Sequence, residues 1–375
     1  MMAPSGSRIA LRRGNSSARP LVERRVPLLD LPVARSGGTV GTLESQLAAT
    51  STDAFVVLHD GDLVLEWYAE PNDGATLQAL MSVTKSVVGC LAGVLVDGGR
   101  LDPDLAVTRF VPEVATTGYA AATVRDLLDM RTGGDYRESY DDEDGEVVRL
   151  GERLRGDAPG GVRALVGGTP RLASHAGPFC YRSLDTELLG WVIERAGGKP
   201  VGELFEQLLL TPLGVEYDGS LGVDPLGSGS VSGGLALTAR DVARFGQMLL
   251  DGGAVGRRQV VPSAWIKDTR MGGADSVDAF RRRVTDGLVE APNPPSAMYR
   301  NQFWVLEQGG HRLLALGIYG QYVHVDGDAR TVVVKLSSWP RPQDPRLFTA
   351  GLACADAVVD HLSGHLRSPQ LSLYS

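Results

Sequence analysis

The sequence predicts an α/β fold, in which an antiparallel sheet flanked by terminal helices carries an inserted helical lobe. Three observations carry this. Two β-rich runs near the start, 54–60 (AFVVLHD) and 63–69 (LVLEWYA), meet at Asp60-Gly61, a pair suited to a tight hairpin turn. Strand-like runs return late, at 303–308, 311–318, 322–326 and 331–337, with turns short enough to make neighbours antiparallel. The middle, about 116–294, reads as helix and loop. The simplest assembly is one antiparallel sheet of about five strands built from both chain ends.

The helices follow from apolar spacing and stop signals. Residues 80–97 (LMSVTKSVVGCLAGVLVD) end at Gly98-Gly99. Residues 185–196 stop at Gly197-Gly198 and Pro200, and 201–210 stop near Pro212. Residues 238–251 begin at Thr238, a cap with Asp241 at the third helical position. A last helix spans about 345–362. The expected organisation is a flexible tail over 1–24 and a single unit over 25–375. That unit divides into an α/β lobe (about 25–115 and 295–375) and a helical lobe (about 116–294). A cleft between two lobes is a usual place for a site.

Composition excludes several classes. Among 375 residues the net charge is −8, the wrong sign for nucleic acid or anionic lipid. No run of 18 apolar residues exists, so no membrane span is expected. The N-terminus has arginines but no apolar run of signal-peptide length, which places the expected protein in the cytoplasm. Cys90, Cys180 and Cys354 form no Cys-x-x-Cys pair, and no Cys/His cluster suggests a metal; neither metal nor cofactor is expected.

Chemistry enters at Ser82-Val83-Thr84-Lys85. Residues i and i+3 of a helix share a face, so Ser82 and Lys85 point the same way. Serine needs a base to become a nucleophile, and a lysine serves if burial lowers its pKa. Leu80, Met81, Val83, Val87 and Val88 supply apolar surroundings. A lone Ser-x-x-Lys arises often by chance, but only four lysines exist here. The other three, Lys199, Lys267 and Lys335, have Ala, Ala and Val three positions before them. Tyr181-Arg182-Ser183 precedes the helix at 185. It offers a phenol that relays a proton and a hydroxyl partner, or simply a packed Tyr with Ser183 as a helix cap. Gly317-Ile318-Tyr319-Gly320-Gln321 ends an apolar strand. It is either a plain turn or a place where substrate approaches the strand edge, with the Gln321 N–H joining that of Ser82 as an oxyanion hole.

The order Ser-x-x-Lys, Tyr-x-Ser, glycine-rich strand resembles the serine β-lactamase fold of class C β-lactamases, penicillin-binding proteins and family VIII carboxylesterases. The segments DAFVVLHDGDLVLEWY, SVTKSVVGCLAGVLVDGG, YRSLDTELLGWVIERAGG, GGLALTARDVARFGQMLLDGG and GQYVHVD look most like the 6-aminohexanoate-dimer (nylon-oligomer) hydrolase branch. The resemblance covers about 25–365. It implies catalysis by Ser82, Lys85 and Tyr181 through an acyl-enzyme. It also implies assistance from Ser183, an oxyanion site at Gln321, and substrate contacts from Gly320, Tyr319 and the loop residue Tyr140. The chain departs from β-lactamases in two places: Ile318-Tyr319-Gly320 stands where they carry Lys-Thr-Gly, and Ser183 where class C enzymes carry Asn.

The expected function is therefore hydrolysis of small esters or amides by a monomer or homodimer. The alternatives are acyl transfer to an amine or alcohol at the same site, and a non-catalytic binding protein that keeps the fold. A Ser-His-Asp hydrolase is disfavoured because no Gly-x-Ser-x-Gly elbow exists.

Overall fold

The computed structural model describes residues 6–14, 20–34, 39–284 and 294–364. Its main sheet has seven strands in the spatial order Met298–Arg300, Phe303–Val305, Arg312–Gly317, Gln321–Asp326, Thr331–Ser337, Thr52–His59, Asp62–Tyr68. All its pairings are antiparallel. The chain ends meet inside it, where Val332, Val333 and Val334 pair with Leu58, Val57 and Val56. The first hairpin turns at Asp60 and Gly61 with φ of 49° and 86°, the left-handed pair that a two-residue hairpin needs.

Period-two alternation sorts the strand residues between two cores. Val56, Leu58, Val332, Val334 and Leu336 face the large core. Phe55, Val57 and Val333 face the opposite side, where Leu43, Leu47, Val358 and Val359 cover them. Those last four come from the helices Leu43–Ala49 and Pro345–Ser363, so helices from the two ends of the chain blanket one face. On the other face lies the helix Val83–Asp97, buried on nearly every side. It sits between the sheet and the lobe made by the middle of the chain. The helix Ala239–Leu250 starts as the sequence indicates, with the Thr238 hydroxyl accepting from the Asp241 N–H. Among the described residues, no helix is long and apolar enough to cross a membrane.

A second, four-stranded sheet corrects the sequence reading in two respects. It orders Ser7–Leu11, Gly219–Val223, Leu235–Thr238 and Leu77–Ala79. The middle of the chain is thus not helix and loop alone. Nor are residues 7–11 a free tail, because each pairs with a residue of 219–223 and Leu11 is fully buried. These strands are only three to five residues long, so their alternation is too brief to read locally. The partner of 7–11 also lies more than two hundred positions away. Residues 1–5 and 15–19 of the expected tail lie outside the described residues.

The buried helix leaves no room at Gly89. A Cβ there would collide with the Asn301 carbonyl oxygen, which is backbone and cannot swing aside. Gly89→Ala is expected to cost about 1–3 kcal/mol or more by overpacking. Thermal denaturation checks this; an unchanged melting temperature would contradict the packing described.

Candidate active site

Ser82 stands at an elbow between the strand Leu77–Ala79 and the helix Val83–Asp97. Met81 makes the bend with φ of 46°, a left-handed conformation uncommon outside glycine and costing about 1–3 kcal/mol. Helical bonding begins at once, with the Lys85 N–H donating to the Ser82 carbonyl. The Ser82 side chain makes no capping bond, so its hydroxyl is turned to other partners. Strand Arg312–Gly317 passes directly behind: a Cβ on Gly317 would lie 2.8 Å from Leu80 O and 3.0 Å from Ser82 N. Glycine at 317 is what allows the strand to approach the elbow.

Lys85 is 1% exposed, and its amine has three oxygen neighbours: Ser82 Oγ at 2.9 Å, Ser183 Oγ at 3.0 Å and Ser232 O at 2.7 Å. Two of these directions are fixed by chemistry. The Ser232 carbonyl only accepts. The Ser183 hydroxyl donates to Glu138 Oε1 at 2.6 Å, because a carboxylate has no proton to give, so toward Lys85 it accepts. A neutral amine has two N–H bonds and one lone pair. With both N–H bonds committed, the lone pair faces Ser82 Oγ, where a base must stand.

Two buried carboxylates hold this wiring, and neither is evident in the sequence. Glu138 also accepts from the Ser183 N–H at 2.8 Å and the Tyr140 hydroxyl at 2.7 Å. Glu187 accepts from the N–H and hydroxyl of Ser232 and from the Val231 N–H, which aims the Ser232 carbonyl. Glu138 lies in an acidic loop where any of several carboxylates looks equivalent. Glu187 reads as one polar residue of an amphipathic helix. Ser183 is the first residue of the helix Ser183–Gly197, and its side chain bonds Lys85 and Glu138 rather than capping that helix.

Burial lowers the Lys85 pKa from its ordinary 10.5 to about 8, against the opposing pull of Glu138 and Glu187. A second buried lysine, Lys335, is lowered to about 7 by burial. It bonds Ser337 and Thr50 O under the Trp339 ring and lines neither cavity that reaches Ser82. A lowered pKa alone therefore does not mark the base; contact with an accessible hydroxyl does.

Tyr181 is hydrogen-bonded to Ser82, and its ring lies 5.0 Å from the Lys85 amine. It stacks on Trp304 at 5.6 Å and meets Tyr299 edge-on. Burial and the Glu138 charge push its pKa well up. The phenol thus holds its proton, the reverse of the lowering that a nearby cation would produce. Tyr140 does reach the site: it lines both cavities beside Ser82, and burial raises its pKa as well.

The strand end differs from expectation by about one turn of chain. Gln321, Gly320 and Tyr319 line neither cavity at Ser82. The Gln321 side chain bonds Tyr319 O and Ser337 O and accepts from the Ser337 N–H. A Cβ on Gly320 would strike the Trp339 indole, so that glycine accommodates a ring and not a substrate. The Tyr319 N–H is bonded to Pro342 O. Gly317 and Ile318 occupy the place beside Ser82 instead. Two glycines three apart on one strand end cannot be told apart in sequence.

Because the base acts when neutral, acylation should accelerate as pH rises through about 8 and level off above it. Glu138→Gln removes a charge that favours the ammonium, so the inflection should move to lower pH. Pre-steady-state acylation across pH checks both; a flat profile in the wild type, or an upward move in the variant, would contradict the wiring.

Residues 40–353 match the Beta-lactamase family model. The chain is 36% identical over 305 residues to the 6-aminohexanoate-dimer hydrolase of Paenarthrobacter ureafaciens, covering 80% of this chain and 76% of that one. A candidate 6-aminohexanoate-dimer hydrolase from Bacillus anthracis superposes with a TM-score of 0.85 at 24% identity, over 97% of this chain and 93% of that one. A family VIII carboxylesterase shares the fold with a TM-score of 0.63 at 17% identity, over 90% and 100%. On the match of most of its length to that family model and to a curated hydrolase, the chain is an enzyme, a hydrolase of the β-lactamase family.

Proposed function

We propose that this protein hydrolyses small esters or amides through an acyl-enzyme on Ser82. The observation that carries the proposal is the 2.9 Å contact between the buried Lys85 amine and the Ser82 hydroxyl, with two further oxygens placed to accept that amine's N–H bonds. Ser82 Oγ forms a bond to the carbonyl carbon as its proton passes to Lys85. In this scheme the oxyanion is held by the N–H groups of Ser82 and of Ile318, which borders the cavities at Ser82; a side chain on Gly317 would crowd Ser82 N. When the bond to the leaving group breaks, Tyr181 gives that group its proton and recovers one from Lys85. Water then enters, the same groups run in reverse, and the acid leaves Ser82 free. Tyr140, bonded to Glu138 at the rim, is the substrate contact in this scheme.

The Paenarthrobacter relative is named for an amide substrate, and an esterase, EstB of Burkholderia gladioli, is 32% identical over 168 residues, 40% of each chain. Both bond types suit a site whose leaving-group acid is a protonated phenol. A β-lactam drug fits less well, because the stretch Leu314 to Ile318 carries no cation for its carboxylate.

Intact-mass spectrometry after mixing with p-nitrophenyl acetate and with a short anilide tests the proposal. One acyl group on wild type and none on Ser82→Ala is expected, with turnover reduced at least about a thousandfold in the variant. Acylation that survives in Ser82→Ala removes Ser82 from the mechanism.

A further inference from the structure

Among the described residues, two cavities meet at Ser82. The larger, about 260 Å³, is walled by Val147, Leu150 and Leu154 of the helix Glu146–Arg155, by Val223, and by Met81 and Ile318 nearest the serine. The smaller, about 40 Å³, lies between Tyr181, Trp304, Leu316 and Phe348. Tyr181, the proton donor to the leaving group in the proposed mechanism, lines only the smaller one. The leaving group therefore belongs there, and the acyl group belongs in the larger cavity.

The larger cavity offers an acyl group almost nothing polar. Three charged side chains border it, and each is already engaged. Arg8 bonds Ser220 Oγ, Ser220 O and Gly234 O. Arg155 pairs with Asp157, and Glu138 accepts from Ser183 and Tyr140. A charged group buried without a partner is strongly disfavoured. We infer that the acyl group is an uncharged hydrocarbon chain, an inference that rests on the Ser82 acyl-enzyme reading. Its length follows from the volume. An apolar cavity of about 150 Å³ admits benzene, so 260 Å³ has room for a chain of about six to ten carbons. A further wall is the N-terminal strand: Gly6, Ser7 and Arg8 border the cavity, held by pairing of Ser7–Leu11 to Gly219–Val223. A segment far from Ser82 in sequence thus closes the acyl site.

The test is kcat/KM for p-nitrophenyl esters from acetate to laurate, with Ser82 adducts followed by intact mass. The optimum is expected at hexanoate to decanoate, at least about tenfold above acetate. The ester of 6-aminohexanoate, an ammonium at the chain end, should fall at least about a hundredfold below hexanoate. Leu150→Trp fills the cavity and should cut the octanoate-to-acetate ratio at least about tenfold. Gly151→Leu is a second filler: Gly151 is helical, and a Cβ there meets only the end of the Arg155 side chain, so the fold tolerates it. An optimum at acetate, an ammonium-ended ester as good as hexanoate, or an unchanged ratio in both variants overturns this inference while Ser82 adducts still form. Failure of every ester to acylate Ser82 removes the underlying reading and this inference with it.

Discussion

Burying a lysine amine removes the water that would keep it charged, and the site turns on what replaces that water. Around Lys85 the replacements are three oxygens, two of which only accept from it. A dry cavity alone would lower the pKa without aiming the lone pair. Carboxylates in direct contact would aim it but restore the charge. Here Glu138 and Glu187 stand one residue back, acting through Ser183 and Ser232. They orient the acceptors at a distance that leaves burial the larger effect on the lysine.

The fold is arranged to hold that contact. The strand-to-helix elbow accepts a left-handed Met81, and strand Arg312–Gly317 supports it from behind through a glycine. The helix that carries Ser82 and Lys85 is fixed by apolar contacts on almost all sides. Tyr181 comes from the inserted lobe and is clamped by Trp304 and Tyr299 of the main sheet. The reacting groups thus come from two places in the chain, each anchored in a common core. Such rigidity keeps a hydroxyl and an amine near 3 Å without paying for it in each turnover.

Much of this was legible in sequence because its signals are local. The Asp60-Gly61 hairpin, the late strands and the glycine-stopped helices lie within a few residues of their elements. Ser82 and Lys85 share one helical turn, and Tyr181 and Ser183 open another helix. What stayed hidden depends on distant chain. Glu138 is distinguished from its acidic neighbours only by a helix that arrives 45 positions later. Whether Gly317 or Gly320 faces the serine depends on where Trp339 packs. Residues 7–11 look like a tail until their partner strand is known. The helical-middle reading failed for the same reason, since strands of four or five residues gain their stability from neighbours and not from pattern.

The state of one nitrogen decides the account. Lysine ¹³Cε chemical shifts followed by NMR against pH, in protein labelled at its four lysines, report that state directly. The signal that vanishes in Lys85→Met should titrate near pH 8, with a neutral amine above it. If that signal instead titrates at or above the ordinary lysine value of about 10.4, Lys85 is still an ammonium ion at pH 9, where the account requires a mostly neutral amine. The lone pair on which Ser82 depends would then be absent.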